Sequence, residues 1–353
     1  MKEGSTDEHR LSFTNSEKQS ISEDVQYSER TSFLPLGLAI RNRLNLIDNE
    51  VAKFTSKNTG TPAALYDAAY YLVRAGGKRL RSLLTYLACE AVNGNLQRIL
   101  PITVAAELLQ TASLIHDDII DNTEIRRGVT TVHKKFGEKM AILASDLLIS
   151  QAFEIMGKWG TPELIEQIGR TGIAMCEGEA QDSVMNINEL LSFSEEEYLE
   201  VAERKTASFM IEAVNIGSAM GKSSKKEVAC LIEYAENLGY AFQIRDDVLD
   251  FTSDPRVSGK SVLTDLQAGS SNLVLIYALE ACESEVKEEC VDEITMGNYS
   301  LVLELIEDSG AIARATEKAK EYARASKAAI EDMNFPNKEL FADLADFAVR
   351  RKF

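Results

Sequence analysis

Apolar residues recur at helical spacing along most of the chain from residue 36 onward. One run consists of Ile40, Leu44, Ile47, Val51 and Phe54, whose spacing of three or four residues places the side chains on one helix face. No convincing run of alternating polar and apolar residues predicts a β-strand. The pattern therefore predicts an all-α protein, a bundle of about a dozen helices.

Turn-forming residues divide this pattern into separate helices. Thr61-Pro62 and Thr161-Pro162 have the form of helix starts, and a further break is expected at Leu100-Pro101. The segment from Val104 to Asp121 is apolar over most of its circumference, so we expect it to form a central helix. Residues 1–35 are rich in Ser, Glu and Lys, which predicts a disordered arm. Residues 36–353 are expected to form a single domain.

Composition and charge narrow the possible partners. The chain has 38 Lys and Arg against 56 Asp and Glu, a net charge of −18, which disfavours nucleic acid and anionic membrane surfaces. No stretch of about 18 apolar residues is free of charge, so no membrane anchor is expected. The five cysteines are scattered, which indicates a reducing compartment without a disulfide framework or zinc site. A cytoplasmic location is expected, with an organelle after processing left open.

The pattern Asp-Asp-x-x-Asp occurs twice, each time in an apolar helical segment. On a helix, the first and last carboxylates of this pattern share a face. Two carboxylates about 4 Å apart repel by about 4 kcal/mol at an effective dielectric near 20, so a hard cation is needed. Mg²⁺ suits such oxygen ligands and is often completed by substrate phosphates. A solvated helix end is the alternative for a single copy. We call the two the first and second aspartate clusters: Asp117, Asp118 and Asp121, and Asp246, Asp247 and Asp250.

Basic residues beside glycines accompany the aspartate clusters. A diphosphate that bridges magnesium ions would need such cations to neutralise its remaining charge. The alternative for Arg126 and Arg127 is that they simply neutralise the first cluster. The basic segments are Gly76-Gly77-Lys78-Arg79-Leu80-Arg81, Arg126-Arg127-Gly128, Lys205-Thr206 and Lys260.

Taken together and in this order, the motifs resemble those of the trans-type isoprenyl diphosphate synthases, and more closely the long-chain polyprenyl branch. The resemblance extends from about residue 38 to the end of the chain. Farnesyl, geranylgeranyl and solanesyl diphosphate synthases belong to the same group. The matching stretches are the glycine-rich basic segment from Gly76 to Arg81, Ser113 to Asp121, Arg126-Arg127-Gly128 with Thr131-Val132-His133, Lys205 to Ser208, Phe242 to Phe251, and Gly259-Lys260 with Asp265-Leu266.

The resemblance implies a fold around a deep central cavity, a homodimer, and a magnesium-dependent condensation. An allylic diphosphate would ionise, isopentenyl diphosphate would attack the cation, and proton loss would leave an allylic diphosphate one isoprene unit longer. The resemblance implies about three Mg²⁺ ions, with catalysis by the metal-binding aspartates together with Lys205 and Arg126. The implied metal ligands are Asp117, Asp118, Asp121, Asp246 and Asp250.

The resemblance also assigns the substrate-binding residues. Those for isopentenyl diphosphate are Lys78, Arg81 and Arg127, with Gln110 in place of the usual His. Those for the allylic diphosphate are Arg126, Lys205, Thr206, Gln243 and Lys260.

Product length is expected to depend on the helix turn before Asp117. Ala112 and Ser113 lie about 6 to 7.5 Å along the helix from Asp117, where family members with short products tend to carry aromatic residues. These small residues predict a long-chain product, with the floor of the tunnel set deeper down by Leu108, Leu109, Phe153 or Met156. The alternative is that Ala112 and Ser113 only permit close helix packing.

Several departures from the family pattern leave other functions open, and Ser82 and Ser145, in place of the usual Pro and Gly, are expected to have modest effects. Gln110 replaces His, Ser270 stands where Lys is usual, and Arg245 replaces an apolar residue; we hypothesise that Arg245 restores part of the missing charge. A terpene cyclase and a non-catalytic regulatory subunit are the alternatives to an active synthase. The basic end Arg350-Arg351-Lys352 either closes over the diphosphates or is a solvated tail.

Overall fold

The computed structural model describes residues 37–184, 191–253, 270 and 272–351. The predicted disordered arm, residues 1–35, and the predicted ligand Lys260 lie outside the described residues. The prediction of an all-α fold is confirmed.

The described residues form helices α1 to α15, numbered in chain order, with one short β-hairpin. The first part of the chain contains α1 (Leu38–Lys57), α2 (Ala63–Arg74), α3 (Leu80–Ala91), α4 (Leu96–Ile120), β1 (Ile125–Arg126), β2 (Val129–Thr130), α5 (Val132–Phe136), α6 (Glu138–Trp159) and α7 (Pro162–Val184). The second part contains α8 (Glu195–Ala202), a π-turn (Glu203–Ala207), α9 (Ser208–Ala219), α10 (Lys225–Thr252), α11 (Leu273–Glu280), α12 (Ser284–Thr295), α13 (Ser300–Ser309), α14 (Ala311–Ala329) and α15 (Lys338–Arg350).

Helix α4 is central, as its apolar circumference predicts. Asn95 caps its start by accepting hydrogen bonds from the N–H groups of Gln97 and Arg98, which satisfies two otherwise free donors. The expected break at Leu100-Pro101 is wrong, because Pro101 lies inside the helix. Proline there lacks the N–H for one helical hydrogen bond and crowds the carbonyl of Gln97, and burial of α4 against α3 and α6 outweighs that cost.

Helix α10 organises the second half of the bundle. Ser224 and Glu227 form a capping box at its start, which fixes where the helix begins. The helix packs against α9, α14 and α15. Apolar residues of α10 and α11 contribute to a second core cluster, while the first surrounds α4. The C-terminal ends of α4 and α10 carry the two aspartate clusters.

A β-hairpin that the sequence pattern does not predict follows the first aspartate cluster. Its two strands pair Ile125 with Thr130 and Arg126 with Val129. Arg127 and Gly128 form the turn, with φ of 53° and 71°, the conformation of a tight two-residue hairpin turn. Strands of two residues are too short to show a period of two. The turn directs Arg126 and Arg127 to different partners.

Two helices are long and apolar enough to cross a membrane by length and composition alone. In α4 and α6, 61% and 44% of the apolar window is buried inside the protein. Core helices of soluble proteins meet the same criterion. The expectation that the chain has no stable membrane anchor therefore stays a prediction.

Candidate active site

Both aspartate clusters lie at the C-terminal ends of long helices. Asp117 is in the last turn of α4 and Asp121 is its C-cap, while Asp246 and Asp250 lie in the last two turns of α10. The C-terminal end of a helix carries partial negative charge, which disfavours carboxylates there and favours cations. The helix ends add to the repulsion between the carboxylates, so each cluster requires positive charge nearby.

The ionisation of Asp117 shows this excess of negative charge. Burial, followed by the neighbouring carboxylate of Glu179, raises the pKa of Asp117 to about 7, although Lys205 and Arg126 act in the opposite direction. Partial burial and Glu179 also raise the pKa of Asp121. A bound divalent cation would lower both pKa values by favouring the ionised form. The first cluster therefore fits a metal ion electrostatically.

The middle aspartate of each cluster has a structural role that the spacing alone does not show. Asp118 is fully buried and accepts a hydrogen bond of 2.7 Å from Nε of Arg126. Asp247, also buried, accepts hydrogen bonds from Gln243 at 3.1 Å and from the N–H of Leu273 at 2.8 Å. Asp118 thus holds Arg126 in place, and Asp247 holds Gln243 and the start of α11. Because the carboxylate of Asp118 is buried in this contact, we leave Asp118 out of the metal ligands proposed below.

The carboxylates do not form a complete metal cage by themselves. Across the residues that the structure describes, no three Asp, Glu, His or Cys side chains converge so that they could hold an ion. Mg²⁺ commonly takes one or two carboxylates and completes its shell with water and substrate phosphate oxygens. The donor set therefore fits a magnesium site completed by a diphosphate.

Lys205 and Thr206 lie on the π-turn between α8 and α9. Lys205 donates to Asp182 at 2.7 Å and to Glu179 at 2.9 Å. Burial disfavours the charge of Lys205, but these two carboxylates raise its pKa above the ordinary value. Thr206 donates to Oε1 of Gln243 at 2.7 Å. The structure thus links Thr206, Gln243 and Asp247 in one hydrogen-bonded chain beside the second cluster.

Close packing allows the π-turn to adopt this position. A Cβ at Gly178 of α7 would lie 2.8 Å from Cβ of Arg204, and a Cβ at Gly239 of α10 would lie 2.5 Å from Cβ of Ala207. Both distances are too short for any larger residue. The two glycines let α7 and α10 approach the turn from both sides. π-turns of this kind occur often at functional sites.

Sequence reasoning missed Glu179 and Asp182, the partners of Lys205. The acidic run Glu177-Gly178-Glu179-Ala180-Gln181-Asp182 at the end of α7 was the available signal. It does not indicate a site by itself, because an exposed acidic helix end has the same composition.

Arg81 connects the two clusters electrostatically. Burial lowers its pKa to about 10, while the carboxylates of Glu107, Asp246 and Asp117 act to raise it. Its guanidinium lies 5.2 Å from the ring centre of Phe209, and its Nε makes no hydrogen bond within the described residues. A buried donor without a partner is costly. Arg81 is therefore available to an anion that binds between the clusters.

Glu107 organises the basic residues behind Arg81. It accepts hydrogen bonds from Arg79 and, at 3.2 Å, from Nη2 of Arg127. Arg127 also donates to the carbonyl of Leu72 at 3.0 Å. At Gly77, where φ is +139°, a Cβ would lie 2.8 Å from the guanidinium of Arg127. The positive φ favours glycine there, and a larger residue would also displace the guanidinium of Arg127.

Lys78 and the C-terminal Arg351 share one aromatic side chain. Nζ of Lys78 lies 5.4 Å from the ring centre of Phe242, and the guanidinium of Arg351 lies 3.9 Å from it. Phe242 is one turn before Asp246 on α10. Both cations therefore stand near the second cluster.

A half-exposed face of α4 leads away from Asp117 into the bundle. Gln110, Ser113 and Asp117 lie on this face and are partly accessible. Oε1 of Gln110 is buried without a hydrogen-bond partner among the described residues. Ala112 instead is 1% exposed, and its carbonyl accepts a hydrogen bond from Ser145 of α6 at 3.1 Å. The structure therefore separates Ser113, on the accessible face, from Ala112, in the helix packing.

Leu109 is partly buried next to Gln110. Phe153, which the sequence places deeper in the tunnel, is 39% exposed on the outside of α6. Its side chain is accessible from outside its own chain, and its place at a tunnel floor stays a prediction.

The environment of Asp117 gives a first testable prediction. A carboxyl with a higher pKa in the folded than in the unfolded chain makes folding less favourable as the pH rises between the two values, here from 3.8 to about 7. At pH 8 without divalent metal, Asp117→Asn should raise the free energy of unfolding by about 1 to 3 kcal/mol. Below pH 4 the gain should disappear. Urea denaturation at both pH values measures it.

Asp118→Asn is the matched control, one residue away. It breaks a buried ion pair with Arg126, so the free energy of unfolding should fall by about 2 to 4 kcal/mol. Shifts of the same sign in both variants would contradict the different roles of Asp117 and Asp118.

Comparison with known proteins places this geometry in a family. The family model described as polyprenyl synthetase matches residues 62–304. The short chain isoprenyl diphosphate synthase of Methanothermobacter thermautotrophicus is 38% identical over 83% of this chain and 92% of its own. The geranylgeranyl diphosphate synthase of Methanosarcina mazei is 35% identical over 89% of this chain and 97% of its own. Other relatives are named geranylfarnesyl diphosphate synthases.

A solved structure supports the same family assignment. The polyprenyl synthase of Caulobacter crescentus, in complex with calcium and isoprenyl diphosphate, superposes with a TM-score of 0.79 at 30% identity, covering 92% of this chain and 98% of that one. The names of the relatives do not support the expected long-chain branch, but they do support the expected activity class. The chain belongs to the polyprenyl synthetase family and is a prenyltransferase of isoprenoid biosynthesis.

Proposed function

We propose that this protein condenses isopentenyl diphosphate with an allylic diphosphate to make an all-trans polyprenyl diphosphate of twenty to twenty-five carbons. One observation carries the proposal: the carboxylates Asp117 and Asp246, from the two clusters, both act on the partly buried Arg81, whose Nε is buried without a hydrogen-bond partner among the described residues. Two acidic helix ends that face a common cation suit two diphosphates and their metal ions. The relatives' names support the activity and the product length.

The aspartates would hold the metal. We assign Asp117, Asp121, Asp246 and Asp250 to about three Mg²⁺ ions. When bound, Mg²⁺ would neutralise the charge that develops on the leaving diphosphate. Asp118 and Asp247 keep Arg126, Gln243 and α11 in place.

The cations divide between the two substrates. Lys205 and Arg126, with Thr206 and Gln243, flank the aspartates and would bind the allylic diphosphate. Both cations are already paired with carboxylates, so each would exchange or share a partner when the substrate binds. Binding of the allylic diphosphate by Lys260 stays a prediction.

Isopentenyl diphosphate would bind to Lys78, Arg81 and Arg127. Glu107 positions Arg127. Gln110 has an unpaired buried oxygen on the accessible face of α4. The apolar residues that surround this face would keep water from the allylic cation.

The proposal predicts the products of a direct assay. Purified protein with Mg²⁺ and isopentenyl diphosphate should extend dimethylallyl, geranyl or farnesyl diphosphate to a product of twenty or twenty-five carbons, identified by chromatography. Asp246→Asn should lower kcat about a hundredfold or more. Asp332→Asn, a change of the same kind at an exposed aspartate, should have no effect.

The other candidate functions give different results in the same assay. Hydrocarbons or alcohols without incorporation of isopentenyl diphosphate would indicate a terpene cyclase. Untouched substrates would indicate a regulatory subunit, and either outcome would refute the proposal.

Ser113 is proposed to limit product length from the accessible face of α4. It lies one turn before Asp117, about 6 Å along the helix axis, where the growing tail would enter. Ser113→Phe should shorten the main product by about one isoprene unit or more, since a ring there blocks the face. Ser113→Ala is the control of similar size and should leave the product unchanged. If Ser113→Phe leaves the product unchanged, Ser113 does not line the tunnel.

Ala112→Phe is the less informative variant. Ala112 is buried between α4 and α6, and a ring there would overpack the core at a cost of about 1 to 3 kcal/mol. A change in product would then reflect displaced helices as well as a blocked tunnel.

We also propose a homodimer that covers the outer face of α6. Three large apolar side chains are exposed on this helix: Ile142 at 47%, Leu143 at 54% and Phe153 at 39%. Ile173 on the neighbouring α7 is 61% exposed. Large apolar side chains exposed on neighbouring helices are typical of an interface, and two copies related by a two-fold axis would bury them on both chains.

Leu143→Glu combined with Phe153→Glu should convert the dimer to a monomer, because buried charges at an interface centre oppose association. Light scattering after gel filtration measures the mass. Met296→Glu is the control, since Met296 is 78% exposed on a different surface and its change should leave the dimer intact. A wild-type protein that is monomeric at micromolar concentration would contradict the proposal.

A further inference from the structure

The hydrogen-bonded chain beside the second aspartate cluster has a fixed direction. Gln243 and Asp247 lie one turn apart on α10, and Nε2 of Gln243 donates to Oδ1 of Asp247 at 3.1 Å. Oε1 of Gln243 accepts from the hydroxyl of Thr206 at 2.7 Å. Oδ2 of Asp247 accepts from the N–H of Leu273 at 2.8 Å. The chain therefore joins the π-turn, α10 and α11.

The carboxylate of Asp247 determines this direction. An ionised carboxylate can only accept hydrogen bonds, so the NH2 group of Gln243 must face Asp247. The amide oxygen of Gln243 then faces Thr206, and the Thr206 hydroxyl donates its only proton to that oxygen. Turning the amide over would place its oxygen against the carboxylate, where two acceptors would face each other without a hydrogen bond.

Asp247 accepts at both of its oxygens, and its second donor belongs to a helix start. Leu273 is the first residue of α11, and the start of a helix carries free N–H groups and partial positive charge, which favour a carboxylate. Asn272 caps the same end by accepting from the N–H of Val274, so the buried N–H of Leu273 depends on Asp247 for its bond. This contact holds Asp247, which is 1% exposed, in one place.

The direction gives Thr206 and Gln243 different capacities toward a ligand. The hydroxyl of Thr206 has donated its proton to Gln243, so it offers a ligand only lone pairs. Nε2 of Gln243 carries two hydrogens, and Asp247 is its one acceptor among the described residues. Gln243 is also partly accessible. Because the oxygens of a diphosphate only accept, a diphosphate next to this chain can be bound by the second N–H of Gln243 but not by Thr206.

We propose that Asp247 is a positioning residue that orients the amide of Gln243, so that Gln243 and not Thr206 donates the hydrogen bond to the allylic diphosphate. The proposal rests on the proposed function for the identity of that ligand. Thr206 contributes by holding the amide oxygen of Gln243. Asp247 itself would touch neither substrate.

Urea denaturation of a variant series tests the direction without turnover. Gln243→Glu should lower the urea midpoint of the otherwise wild-type protein, because two carboxylates would then face each other one turn apart. In an Asp247→Asn protein the same change should lower the midpoint least. There the new amide donates to the new carboxylate, and its oxygen still accepts from Leu273.

Asp247→Leu separates the direction of the hydrogen bonds from simple charge repulsion. It removes the same charge from a side chain of similar size, but it cannot donate to position 243. Gln243→Glu should therefore lower the midpoint of the Asp247→Leu protein by an intermediate amount. Gln167→Glu, the same change at an exposed residue of α7, should not shift the midpoint. Equal effects of Gln243→Glu in the Asp247→Leu and Asp247→Asn proteins would refute the fixed direction.

Steady-state kinetics identify the residue that donates to the substrate. Asp247→Asn should turn the Gln243 amide over, because the new oxygen accepts from Leu273 and the new NH2 group faces Gln243. The allylic KM should rise about tenfold, as expected for one hydrogen bond to a charged group, with the KM for isopentenyl diphosphate within about twofold of wild type. Asp247→Asn combined with Gln243→Glu should raise the allylic KM at least as much, since no N–H remains at position 243.

Two kinetic results would overturn the proposal. If the double variant recovers its stability and also keeps the wild-type allylic KM, Gln243 does not donate to the substrate. If Asp247→Asn raises the KM of both substrates equally, Asp247 supports the fold and does not position the allylic site. If the wild-type protein fails to turn over, the proposed function fails, while the urea series still decides whether Asp247 fixes the direction of the chain.

Discussion

Repulsion among carboxylates at two helix ends is the constraint on which the rest of the structure depends. The end of α4 and the end of α10 each carry partial negative charge, and each presents an aspartate cluster. Burial and then the nearby carboxylate of Glu179 raise the pKa of Asp117 even though Lys205 and Arg126 oppose the shift. The surrounding cations, three of them held by acidic partners, lie where they offset this negative charge.

Three of the cations around the site are paired with carboxylates before any substrate arrives. Lys205 bonds to Asp182 and Glu179, Arg126 to Asp118, and Arg127 to Glu107. These pairs keep long side chains ordered in a buried region, where an unpaired charge would be costly. Binding of a diphosphate would then exchange or extend existing partnerships rather than recruit mobile side chains. Such preorganisation reduces the entropy lost on binding.

The sequence allowed prediction of the helical fold, the central position of α4 and the residues that gather around the two clusters. Each of these depends on periodicity or on a short local motif. The partners Glu107, Glu179 and Asp182 were not predicted, because an ion pair between distant segments depends on how helices pack. The break at Pro101 was wrong because burial of a long apolar helix outweighs the loss of one hydrogen bond. The expectation of a long product treated Ala112 and Ser113 as equivalent, whereas in the structure they face different neighbours.

The π-turn that carries Lys205 and Thr206 has a consequence for how related chains are aligned. A π-turn accommodates one residue more than an α-helical turn, and each residue of an α-helix rotates the following side chains by about 100°. A relative with an ordinary helical turn here would need a one-residue gap for α8 and α9 to superpose at both ends. Such a gap would mark a change of helix type within an otherwise continuous helix. Whether a lysine of a relative corresponds to Lys205 should therefore be judged from superposed helices and not from the number of residues.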